Sequence, residues 1–197
     1  MEFIEAIKNR RSIYAINKDM PVSDDRVEHV VKELVLNVPS AFNSQTARVV
    51  VAFGNYHQEI WDIVKEELHK QVPEDKWEGT DNKVAGFAAG HGTILYFEDM
   101  DKVSELQESF PLYANNFPIW SNQSSGMLQF AIWTALEELG IGANLQHYNP
   151  LIDEKIHEYF NLPKSWKLLA QMPFGGVGDL ADEKEFDPIE DRLFFYR

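Results

Sequence analysis

The sequence predicts a single domain built from helices interspersed with at least three strands, an α+β or α/β layer architecture. Three observations predict it. A chain of 197 residues suits one core better than two. Hydrophobic residues make up 44% of it, with 13 Phe and 5 Trp, yet no apolar run is long enough to span a membrane. The apolar positions also switch repeatedly between helical spacing and short β-branched runs.

Taken in order, Phe3, Ile4, Ala6 and Ile7 predict a short helix over 2–9, ending at paired arginines. Ser23, followed by Asp24 and Asp25, is a good N-cap for a second helix carrying Val27, Val30, Val31 and Leu34 on one face and stopping before Pro39. The run "RVVVAF", 48–53, reads as a buried strand. A helix over 56–70, a polar loop over 71–83 and a helical patch lead to a second buried strand, "GTILYF", 92–97. The stretch from Ser121 to Leu139 is helical, with Gly140 as terminator, and is apolar on several faces, which predicts burial in a core or a subunit interface. Another short helix fills 151–160. "WKLLAQMPFGGVGD" gives a third strand entering a Gly-rich turn, and "EFDPIEDRLFFYR" is a terminal arm whose aromatics need a covering surface. No internal repeat or linker divides residues 1–197.

Composition narrows the function. Eighteen Lys and Arg face 32 Asp and Glu, a net charge of −14, which argues against nonspecific nucleic-acid binding. Any anionic ligand must be held by a few local cations. Without cysteine there are no disulfides, thiolate metal sites or cysteine nucleophiles. The opening "MEFIEAIKNR" lacks the order of a secretory signal, so a cytoplasmic, membrane-free location is expected.

Several motifs fail on inspection. The six histidines fall in no metal-ligand spacing, and no G-x-S-x-G elbow is present. "FGGVGD", 174–179, departs from both common phosphate-binding glycine patterns and reads as a turn. Two segments remain. "RRS", 10–12, has a plain reading as a helix C-terminus favouring cations. "VPSAFNSQTARVVV", 38–51, has a plain reading as turn chemistry, yet Asn43 and Gln45 offer the donors and acceptors that would match a flavin's pyrimidine edge.

Together these segments resemble the nitroreductase family of FMN-dependent oxidoreductases, which shows Arg-Arg/His-Ser after a first helix, a Pro-Ser-x-x-Asn-x-Gln loop before a strand, a long helix ending in glycines and a terminal Arg-Leu element. Here those are "RRS", "PSAFNSQ", "LEELGIGANLQHYNP" (136–150) and "EDRLFF". "GTILYFED" and "ANLQHYNPLID" resemble the short branch related to fungal fatty-acid-repression proteins and bacterial stress-induced nitroreductases. The resemblance implies a nitroreductase-like three-layer α/β/α fold, a mixed, mainly antiparallel sheet flanked by helices, in an intertwined homodimer with FMN at the interface.

It also implies site residues. Arg10, Arg11 and Ser12, with Arg192 from the arm, would clamp the FMN phosphate. Pro39, Ser40, Ala41 and Asn43 would reach the neighbouring subunit's flavin, with Gln45 supporting their loop, and Leu145, Gln146 and His147 would lie along its reactive edge. Two positions depart from the family: Tyr14 stands where many members have a basic residue, and His147 and Tyr148 where many have an acidic residue and glycine. Lys83 is the expected substitute cation; no catalytic acid is assigned, since His147 and Tyr148, the candidate proton donors, read first as walls of the pocket. The activity implied is ping-pong reduction of nitroaromatics, quinones or similar flat acceptors by NADH or NADPH. A flavin-binding redox or lipid-signalling regulator with little turnover is the alternative.

Overall fold

The computed structural model describes residues 2–197. Among them seven helices, α1 (Phe3–Asn9), α2 (Asp24–Asn37), α3 (Gly54–His69), α4 (Glu74–Ala88), α5 (Met100–Ser109), α6 (Phe117–Glu138) and α7 (Asp153–Phe160), flank one sheet. Its strands are β1 (Ile16–Asn17), β2 (Ala47–Phe53), β3 (Gly92–Asp99), β4 (Ile141–Ala143) and β5 (Trp166–Val177). The order is β1-β5-β3-β2, with β4 also paired to β5, and within the chain every strand pairing is antiparallel.

Alternation along β3 explains the three layers. Ile94 and Tyr96 point to one face, where they meet Val27 and Val31 of α2 and Leu128, Ile132 and Leu136 of α6. Leu95 and Phe97 point to the other, against Ile60, Trp61 and Val64 of α3, Val84 and Phe87 of α4 and Ile156 of α7. On β5 the parity changes: Ala170 lies opposite Tyr96 but Leu168 opposite Phe97, so Leu169 is an extra residue. This bulge turns Leu168 toward the α3 layer while Ala170, Met172 and Phe174 face α6.

Several sequence expectations need correction. The polar loop over 71–83 is mostly helix, because Trp77, Val84 and Phe87 share a face and Lys65 of α3 pairs with Asp81 at 2.6 Å. Gly79 and the many polar residues between those anchors masked their spacing. "RVVVAF" is a half-buried end strand in which only Ala52 is fully buried. The glycines of "FGGVGD" continue β5: Gly175 and Gly176 pair with β4 and β1, and a Cβ on either would overlap the carbonyl oxygen of Asn17 or Asp19. They are strand glycines that admit a neighbouring backbone. Ser23 occupies the N-cap position of α2 in extended conformation, but its side chain makes no capping bond.

Helix α5 had no expectation at all. Its N-cap is Asp99, whose carboxylate accepts from the Lys102 amide at 3.4 Å and pairs with Arg48 at 2.8 Å. Asp99→Ala should cost about 1 kcal/mol, read as a lowered urea midpoint. Helix α6 begins a turn early at Phe117 and ends as expected, with Gly140 at φ +75. Three of its buried hydroxyls donate to its own carbonyls, Ser124 to Trp120 at 2.9 Å, Thr134 to Phe130 at 2.8 Å and Ser121 to Pro118 at 3.1 Å, while the Ser125 hydroxyl accepts from the Gln129 side chain at 3.0 Å. After Gly178 the chain runs out as an exposed arm, with Phe186, Phe194, Phe195 and Tyr196 each at least 66% exposed.

Candidate functional site

The segment after α1 is fixed by backbone and amide bonds. Ile13 donates to the Ala143 carbonyl at 2.9 Å, and the buried Asn144 side chain donates back to the Ile13 carbonyl at 2.8 Å. Gln146 extends this chain by donating to Asn144 Oδ1 at 2.8 Å, while its backbone pairs with Gln171. Two of the segments expected at the cofactor, 10–14 and 145–147, are thereby tied together.

Arg10, Arg11, Ser12 and Tyr14 line one cavity of about 480 Å³, closed on its other side by Asp179, Leu180, Ala181, Asp182 and Lys184 of the arm. Arg11 donates to the Asp182 carbonyl at 2.5 Å. Arg10 lies over the Trp133 ring at 4.3 Å, a cation–π contact that holds it on α6. Burial, and secondarily the Arg11 charge, lower the Arg10 pKa from its ordinary value, with Glu137 opposing them. Its Nε is buried without a hydrogen-bond partner. Two guanidiniums, an ammonium and a hydroxyl around a cavity, one donor unused, fit a compact dianion such as a phosphate monoester.

The arm cation at this cavity is Lys184; Arg192, the expected one, lies on the exposed arm outside the lining residues. Lys184 was hidden in the acidic run "DEKEFD", and the close approach of Asp182 to Arg11 has no sequence signal. Lys83 stands on α4 with its ammonium 5.9 Å from the Phe87 ring, which also lies 6.4 Å from Tyr14 and 5.0 Å from Trp61. His147 is exposed, whereas Tyr148 packs edge-on against Trp61, and burial raises the pKa of its phenol.

The other predicted segment sits apart. Pro39, Ser40, Asn43 and Gln45 line a second cavity of about 180 Å³, with Thr46 and Arg48 on one side and Ser124 and Leu128 of α6 on the other; Ala41 starts the 3-10 turn between them. The Gln45 amide donates to Ser40 Oγ at 3.0 Å, closing the loop. Phe42, Asn43 and Gln45 all adopt left-handed backbone, φ 58, 50 and 49. Three such non-glycine residues in four positions store strain of the kind that accumulates at ligand sites. At the apex Phe42, half exposed, stacks on Trp120 at 5.7 Å and touches Phe110, Tyr113 and Phe117. Neither Phe42 nor this aromatic wall was singled out from sequence, where their positions are 70 residues apart.

Comparison with known proteins bears on the fold and the family. The family model described as "Nitroreductase family" matches residues 7–176. The nitroreductase FRM2 of Saccharomyces cerevisiae is 34% identical over 186 residues, covering 93% of this chain and 92% of its own. The nitroreductase CinD of Lactococcus lactis, solved in complex with chloramphenicol, superposes with a TM-score of 0.91 at 46% identity, both chains covered in full; it has also been solved with 4-nitrophenol, at 45% identity and a TM-score of 0.91 over both full chains. A Desulfovibrio desulfuricans protein in complex with FMN, 18% identical, shares the fold with a TM-score of 0.70 over 98% of this chain and 96% of its own. The three-layer fold, the order of the motifs and these likenesses together establish that the chain belongs to the nitroreductase family, whose members are oxidoreductases.

Proposed function

We propose that the protein binds FMN and reduces flat acceptors, nitroaromatics or quinones, at the expense of NADH or NADPH. The observation that carries this reading is the cavity of about 480 Å³ walled by Arg10, Arg11, Ser12, Tyr14 and Lys184, where two guanidiniums, an ammonium and a hydroxyl meet. When bound there, the isoalloxazine supplies hydride transfer, which no side chain of this protein can perform. The chain's own residues bind and orient. Arg11 and Lys184 hold the phosphate, Arg10 is braced by Trp133 at the cavity wall, and the Asn144–Gln146 chain fixes the segment that carries the two arginines.

The loop from Pro39 to Gln45 lines a different cavity, and serves the neighbouring subunit of a homodimer. Support comes from the exposed aromatics of the arm and from β2, an end strand with one unpaired edge; each is the kind of surface a second copy would cover. Phe42 and its aromatic wall then offer an electron-rich shelf for a flat, electron-poor acceptor, consistent with the 4-nitrophenol complex of CinD. Donor and acceptor would take the same slot in turn, a ping-pong order.

An anaerobic absorbance titration tests the reading. Purified protein supplied with FMN should show a flavin spectrum that bleaches on addition of NADH or NADPH and returns with 4-nitrophenol or a quinone. A bound flavin that neither nucleotide bleaches would favour the regulatory alternative, and failure to bind FMN would remove the assignment.

A further inference from the structure

Gln171, in the middle of β5, is fully buried, 0% exposed. Met172 faces α6, so strand alternation turns the Gln171 side chain to the other layer, beside Leu95, its partner on β3. An amide buried among apolar groups is costly unless both of its ends are bonded. Here both are: Gln171 Oε1 accepts from the Tyr148 backbone amide at 2.7 Å, and Nε2 donates to Asn149 Oδ1 at 3.3 Å.

The bonds along this edge show what the side chain replaces. Ile141 pairs with Gly176, Ala143 with Phe174 and Gln146 with Gln171, one constant antiparallel register. Within it the Asn144 amide donates to the Pro173 carbonyl at 3.3 Å and the Gln146 amide to the Gln171 carbonyl at 2.7 Å, so the next rung belongs to Tyr148 and Leu169. Leu169 is the extra residue of the β5 bulge, and the Tyr148 amide turns to the Gln171 side chain instead. The glutamine carbonyl stands in for the strand carbonyl that the bulge takes out of line.

The residues in between are oriented by this substitution. With Gln146 and Tyr148 donating toward β5, the amides of Leu145 and His147 point away from it, and neither has a hydrogen-bond partner among the described residues. They lie on the same edge as the Ala143 carbonyl, which accepts from Ile13, next to the segment that lines the cavity of Arg10 and Arg11.

We propose that Gln171 is a positioning residue for flavin reduction: by holding the Tyr148 amide against β5, its side chain orients the outward amides of Leu145 and His147, the donors this edge offers to the flavin. The proposal rests on the FMN reading and on the expected place of 145–147 along the reactive edge. Without the glutamine carbonyl the 147–149 backbone is free to turn, and a misplacement of about 1 Å can cost on the order of 100-fold in rate. The grip on the phosphate is separate, because the bonds between Ile13, Ala143 and Asn144 hold residues 10–14 without Gln171.

Amide hydrogen exchange in the protein without added FMN tests the hold. The Tyr148 amide should be protected at least about tenfold more than the His147 amide. Gln171→Met, similar in shape and apolar, should erase that difference while Gln146 stays protected through its backbone bond, and Gln171→Glu, which keeps the acceptor, should restore it. Asn149→Ala, which unties the other end of the glutamine, should lower Tyr148 protection about threefold and serves should the methionine variant not fold. Equal protection of Tyr148 and His147 in wild type, or undiminished Tyr148 protection in the variants, overturns the proposal.

Anaerobic stopped-flow reduction of the FMN-loaded protein tests the consequence. Gln171→Met should lower the limiting rate of bleaching by NADH or NADPH about tenfold with FMN affinity within about threefold of wild type, and Gln171→Glu should recover most of the rate. A wild-type limiting rate in Gln171→Met, or rate and affinity falling together, also overturns it. Failure of the wild-type protein to bind FMN, with Tyr148 protected as expected, leaves the hold in place and sinks the flavin reading instead.

Discussion

Arg11→Ala is expected to weaken FMN binding by roughly 10- to 150-fold, the equivalent of one charge-assisted hydrogen bond of about 1.5–3 kcal/mol. Arg11 faces the cavity from a segment held by backbone bonds on both sides, so the guanidinium is preorganised rather than recruited. Its guanidinium donates to a carbonyl of the exposed arm and to no core group among the described residues. Stability should therefore stay within about 0.5 kcal/mol of wild type, a melting shift of no more than about 2 °C. Arg11→Lys should fall between, keeping the charge and losing the planar fork. A fluorescence titration of FMN beside a thermal melt reads both quantities, and unchanged affinity in the alanine variant would remove Arg11 from the phosphate.

Gly175→Ala should destabilise the fold by about 1–3 kcal/mol or more, a fall in melting temperature of roughly 2–12 °C, because the new methyl group meets the Asn17 carbonyl, which is backbone and cannot turn aside. The damage reaches the cavity, since β1 begins two residues after Tyr14 and pairs with Gly176 and Val177 of β5. FMN affinity should fall with stability, a coupling absent from Arg11→Ala. Gly86→Ala is the matching control. It lies within α4 with nothing near the added carbon, so the same chemical change should stabilise by up to about 1 kcal/mol. Equal melting temperatures for the two variants would refute the close-approach account.

Residues whose meaning is local were readable in the sequence. The boundaries of α2 and the stop at Gly140 follow from chemistry within a few positions of one another, whereas the Arg-Arg-Ser segment and the Pro-Ser loop read locally as a helix terminus and a turn and took a ligand reading only from the family resemblance. What escaped depends on partners distant in sequence. Helix α4 is specified by three anchors that make sense only against α3, and the strand glycines only against a backbone more than 150 residues away. Leu169 defeats alternation: counting back by twos from Phe174 assigns Leu168 to the wrong layer. The choice of Lys184 over Arg192 at the cavity is a matter of how the arm leaves β5, which no motif encodes. Glu98 reads in sequence as the end of a strand, and only its burial distinguishes it from the many surface glutamates.

The hydroxyls of α6 carry a consequence for how the helix can be used. Ser121, Ser124 and Thr134 have already spent their protons on carbonyls of their own helix, so they ask nothing of whatever lies opposite. A surface spelled in polar letters thus behaves, toward a neighbour, much like hydrocarbon. Hydropathy counts undervalue the helix for that reason, and exchange of these residues for alanine would be nearly silent. An aspartate in any of the three places would speak to both sides of the helix at once.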